Sequence, residues 1–193
     1  NDGRFVFLYD KSIKTSQVYY VKSDRPQENP ILIAPKKKGL FYKVEASQDY
    51  FYLIAREQQE DKLYIAHMSN SSYEQWQPLA LSYPAHAISK VIPFKNFLVI
   101  ETLFEGLKQI EIWNLAQKRA DCLKFSEAIY TVEITPYQDY DSSMLIFTYA
   151  SPLHSSVTYA YQMQTKELKV LQKPRSVTFN PDEYKIQRIY AKT

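Results

Sequence analysis

The chain has 193 residues, with 24 basic and 21 acidic side chains and a formal net charge of +3. With 45% apolar and 23% charged residues it cannot be a disordered or collagen-like chain, and folding at this length removes about 70% of the unfolded surface from water, enough for one large domain or two small ones. The small, dispersed charge excludes a long-range field that gathers nucleic acid, no apolar run nears the ~18 residues of a membrane-spanning helix, and the single cysteine, Cys122, excludes an internal disulfide or a thiolate zinc site.

The 17 Tyr and 10 Phe against 3 Gly favour strands, because bulky rings suit a pleated, half-buried surface. One cysteine and a start, Asn1-Asp2-Gly3-Arg4, without Met or the apolar stretch of a signal peptide fit a cytoplasmic chain that begins inside a longer protein.

In chain order, Phe5 to Tyr9, Val18 to Val21 and Ile31 to Ala34 read as strands. They form an incomplete unit, Arg4 to Ala34, with no innermost strand. A full unit follows from Leu40 to Leu79. The next has Ile88 to Pro93 innermost, Phe97 to Thr102 second, Lys108 to Trp113 third and Ala120 to Leu123 at the rim, and a last unit runs from Tyr130 to Leu171. No stretch sustains helical periodicity between caps.

Phe5-Val6-Phe7, Phe51-Tyr52-Leu53 and Phe97-Leu98-Val99 start at 5, 51 and 97, two steps of 46, and Leu145-Ile146-Phe147 follows 48 later. Tyr19, Ile65, Glu111 and Tyr159 in the next strands keep the same steps. A β-sandwich also has strands at short intervals, but nothing in its topology returns at 46. The predicted fold is all-β: a partial β-propeller of about three and a half to four blades, mostly of four antiparallel strands, at about 4–34, 40–80, 88–124 and 130–172, within a domain 1–175 followed by a segment 176–193.

Several runs have the order and spacing of a known family. They are Asp2-Gly3-Arg4-Phe5, Thr15 to Tyr20, Gly39 to Val44 before Asp49-Tyr50-Phe51-Tyr52, Trp76 to Leu79, Glu101 with Gly106-Leu107, Tyr149-Ala150-Ser151, Thr165 to Leu171, and Tyr184 to Ala191. Together they resemble the N-terminal propeller of the prolyl oligopeptidase family of serine peptidases, in particular its oligopeptidase B (protease II) branch. The chain departs from the family's usual residues at Gln17 and between Tyr149 and Ser155.

The resemblance implies that 176–193 is a hinge strand leading to an α/β-hydrolase domain, with Pro181, Tyr184 and Arg188 as hinge candidates. It also implies a propeller that admits short peptides, a parent enzyme that cleaves after basic residues, and two partners, those peptides and the chain's own hydrolase domain.

No residue here serves as a nucleophile, since the hydrolase turn Gly-x-Ser-x-Gly needs small neighbours and Gly3, Gly39 and Gly106 are none of them within two residues of a serine. Neither a cofactor nor a metal is expected, because His67, His86 and His154 lack ligand spacing. Glu45 and Glu133 on predicted inner strands are candidates to line the channel, with Lys43 and Lys90 on comparable strands; the alternatives are a catalytic carboxylate pair and an ion-paired lining.

Lys36-Lys37-Lys38 and the acidic turn Glu57, Glu60 and Asp61 read as solvated charge, and Trp76 and Trp113 as packed indoles donating to backbone carbonyls. A stand-alone interaction scaffold is the competing function. Open blade faces predict self-association of the isolated chain, and no nucleic acid or membrane partner is expected.

Overall fold

A computed structural model describes residues 2–12, 15–57, 60–82, 87–174, 180, 183–189 and 191. These form four antiparallel meanders, each a sheet whose strands lie in sequence order. The first has three strands, β1 (Phe5–Lys11), β2 (Ser16–Lys22) and β3 (Ile31–Leu32). The second is β4 (Phe41–Ser47), β5 (Tyr50–Glu57), β6 (Glu60–His67) and β7 (Gln77–Pro78). The third is β8 (Ala87–Pro93), β9 (Phe97–Phe104), β10 (Leu107–Asn114) and β11 (Arg119–Cys122), and the fourth β12 (Thr131–Ile134), β13 (Met144–Ala150), β14 (Val157–Gln162) and β15 (Glu167–Gln172). Outside the strands, Tyr73–Gln75 forms a single 3-10 turn.

The strands close through turns that their residues can adopt. Between Phe104 and Leu107 the two-residue turn Glu105-Gly106 has φ of 48° and 78°, the positive pair that matches strand twist, and Gly takes the second without a Cβ penalty. In the third and fourth sheets a four-residue loop joins the last two strands and ends on a positive-φ lysine, Lys118 or Lys166.

Second strands are apolar on both faces because each face meets a different neighbour. On β5, Phe51, Leu53 and Ala55 enter a core with Phe5, Val18 and Ile33 of the first sheet. The alternate residues Tyr52 and Ile54 join Leu98, Ile100 and Val91 of the third. On β9 the same alternation sends Phe97 and Val99 to a core with Val132, Ile134, Leu145 and Phe147 of the fourth. The three cores thus lie between the four sheets, which is how propeller blades bury apolar surface.

Polar groups lace the blades together. Tyr42 Oη accepts from the Val18 N–H at 3.1 Å and donates to the Ala34 carbonyl at 3.4 Å, and the Tyr42 N–H donates to Ser16 Oγ at 2.8 Å. Between the third and fourth sheets Tyr130 Oη donates to the Lys108 carbonyl at 3.1 Å and accepts from Gln109 Nε2 at 2.9 Å. The outward face of the first sheet has no neighbour among the described residues, leaving Val6 and Leu8 52% and 45% exposed. The sheets form an open arc, a partial β-propeller.

Candidate functional site

The first strands of three sheets converge on one cavity of about 400 Å³, lined by Lys43 and Glu45 of β4, Lys90 and Ile92 of β8, and Thr135-Pro136 just after β12. Alternation along β4 buries Tyr42, Val44 and Ala46 and leaves Lys43 exposed and Glu45 half-buried. Burial raises the Glu45 carboxyl above its ordinary value.

Glu133 is not part of that lining. It pairs with Lys108 in a short contact and with Lys90 at 3.9 Å. Both lysines also hold Glu101, Lys108 Nζ at 3.3 Å and Lys90 Nζ at 3.8 Å. Glu101 is wholly buried, and its oxygens make no well-formed hydrogen bond, so the two ammonium charges balance it. Burial disfavours the Lys108 charge, but the carboxylates of Glu133 and Glu101 outweigh it and raise the lysine.

Two carboxylates and two lysines cancel, so the cluster joins blades rather than offering a free acid. Of the four residues expected at the channel, the cavity brings together Lys43, Glu45 and Lys90. A carboxylate pair needs both acids on one reacting bond, whereas Glu45 lies in the cavity and Glu133 is neutralised beside it.

A bulge at Ser89 sets Lys90 opposite Glu101, and Lys108 lies on the same face two residues from Ile110, the cross-strand partner of Glu101. Glu101 and Lys108 carry no motif for this role. The one available signal was a carboxylate directly after the apolar run Phe97-Leu98-Val99-Ile100.

Other expectations fare variously. The Trp76 indole donates to the Ser71 carbonyl at 3.0 Å, but that of Trp113 donates to the buried Glu111 carboxylate instead of a carbonyl. Asp61 is more than solvated charge, accepting the Ile88 N–H at 3.0 Å and so tying the second sheet to the third. Lys37 sits 3.6 Å over the Tyr73 ring and Lys36 is 3.9 Å from Asp10. His67 bonds Ser69 Oγ within its turn at 2.7 Å, while His154 pairs with Glu127 at 2.6 Å.

His86 and Pro181 lie outside the described residues. The segment expected as a hinge strand joins no sheet over 183–189, although the Arg188 guanidinium donates to the Glu105 carbonyl at the β9–β10 turn; Tyr184 is exposed. Among the described residues no three His, Cys, Asp or Glu side chains could hold a metal ion, and no helix is long and apolar enough to cross a membrane.

An arc of one three-stranded and three four-stranded meanders, with its cores between sheets, defines the class, a partial β-propeller. Comparison with known proteins narrows it. The family model for the prolyl oligopeptidase N-terminal β-propeller domain matches residues 1–174, and the chain belongs to that family.

Among curated proteins it is 24% identical over 190 residues to Protease 2 of Moraxella lacunata, covering 98% of this chain and 27% of that protein. It is 23% identical over 172 residues to the prolyl endopeptidase-like protein of Gallus gallus, covering 86% of this chain and 23% of that protein. The chain therefore spans about a quarter of the length of these relatives. Oligopeptidase B from Leishmania major matches its fold with a TM-score of 0.81 at 18% identity, over 97% of this chain and 28% of the other. The enzyme of the same name from Trypanosoma brucei, in a closed form with covalently bound antipain, gives 0.77 at 18% identity over 94% and 29%.

Proposed function

We propose that this chain is the non-catalytic propeller of a serine oligopeptidase of the oligopeptidase B kind, controlling the access of short peptides to a hydrolase active site supplied by another part of the same protein. The family match over 1–174 carries the reading. Stacked blades make a stiff cover, and opening between such a cover and a hydrolase domain is a gating step that can limit turnover. In this reading the parent protein cleaves after basic residues, works in the cytoplasm, and uses the segment after β15 as its hinge.

Two experiments test it. Intact mass spectrometry of the native gene product should give a chain several times longer than 193 residues that contains a Gly-x-Ser-x-Gly segment. That product should hydrolyse short fluorogenic peptides ending in Arg or Lys and spare a folded protein carrying the same sequence in a loop. A native product with no hydrolase segment and no peptidase activity would favour the interaction scaffold instead.

A further inference from the structure

A second cavity, of about 560 Å³, opens between the β11–β12 connection and the outer strands of the fourth sheet. Its wall is aromatic. Phe125 stacks on Tyr149 with ring centres 5.2 Å apart and planes 15° apart, and Phe147 stacks on Tyr159 at 5.7 Å and 26°.

Set into this wall is Glu127, whose side chain is 17% exposed. Its Oε1 faces His154 Nδ1 at 2.6 Å, while Oε2 is buried and makes no well-formed hydrogen bond. Burial first, then the charge of Glu127 and a hydrogen bond to it, push the Tyr149 phenol up to about 12, so the ring stays neutral beside the acid. Lys124 also lines the cavity, yet among the described residues it forms no ion pair with Glu127.

A buried carboxylate without a full set of hydrogen bonds or a countercharge is costly. A cation entering this cavity meets two favourable terms at once, the carboxylate charge and the negative faces of desolvated rings. Water or an anion gains neither from the rings, and a neutral apolar group leaves the carboxylate unsatisfied.

We infer that this cavity binds a cationic side chain, the guanidinium or ammonium group of a peptide, through the Glu127 carboxylate and the surrounding aromatic wall. The site stands whether or not the chain gates a hydrolase, since every group in it belongs to the third and fourth sheets and their connections.

Calorimetric titration of the full-length protein with N-acetyl-arginine amide, N-acetyl-lysine amide and the neutral isostere N-acetyl-citrulline amide tests the inference. At least one cationic amide should bind roughly tenfold or more tightly than citrulline amide, the span expected for one charge-assisted contact. Glu127→Gln should remove one equivalent of that binding. A tighter arginine arm assigns the guanidinium, whose plane stacks on rings, and a tighter lysine arm assigns the ammonium.

Leu168 lines the cavity and is 55% exposed, so Leu168→Lys is a second variant that spares the core and brings a competing ammonium to the mouth. It too should remove that equivalent. Cationic amides that bind no better than citrulline amide, or that bind undiminished to Glu127→Gln and Leu168→Lys, would overturn the site.

Discussion

Glu101 shows how one side chain can fix a blade interface. Its neighbours Leu98, Val99 and Ile100 are wholly buried apolar residues, and so is the position it occupies. A carboxylate there is tolerable only while ammonium groups balance it. Lys108→Met should therefore cost about 3 kcal/mol in urea unfolding, the lower end for stranding a buried charge, because Lys90 stays within reach. A Lys108→Met, Glu101→Leu double variant should recover most of that loss; equal destabilisation of single and double variants would mean that the charges are not coupled.

Glu45 works in the opposite sense. Its folded pKa lies above the ordinary 4.5, so the folded state holds the proton more tightly and this residue's contribution to stability falls as pH rises from 4.5 through the folded value. Glu45→Gln should abolish that fall, seen as a flatter dependence of melting temperature on pH across the window.

Strands and turns explain why apolar runs appear where they do. In a half-solvated sheet β5 and β9 would alternate with polar residues; here alternate side chains serve two cores, and both faces must be apolar. The strand edges are completed by side chains rather than by further strands. Tyr42 is the clearest instance, since its hydroxyl satisfies the Val18 N–H and the Ala34 carbonyl, and burial raises its pKa so that it remains a donor at neutral pH. Tyr42→Phe strands both groups and should cost about 1–3 kcal/mol, with faster amide exchange at Val18 as the local readout. Unchanged exchange there would show that water replaces the phenol at no cost.

For the molecule as a whole the decisive feature is openness. A blade is stable because both of its faces are covered, yet the first sheet turns Val6 and Leu8 outward and the fourth leaves Leu168 and Leu171 more than half exposed. The isolated chain should self-associate, sedimenting above its 22.7 kDa monomer mass. Leu8→Lys places a charge in the middle of the first of these faces and should shift the distribution towards monomer without lowering stability. A wild-type chain that stays monomeric at high concentration would exclude self-association.

The 46-residue step was legible because each blade is the same supersecondary unit, whose second strand has to be apolar on both sides wherever it occurs in the chain. The resemblance to the prolyl oligopeptidase propeller was legible for a related reason, since turns and strand starts recur at positions that backbone geometry constrains. Neither signal reaches side chains that meet between sheets. That Glu133 is neutralised, that Asp61 ties two blades and that Glu127 is set in an aromatic wall all depend on groups between 20 and 50 residues apart in the chain. Local sequence determined the strands, their repeat and the family; only the stacking of sheets decided which charges face each other, because a bulge at Ser89 and the approach of neighbouring blades set distances that no periodicity encodes.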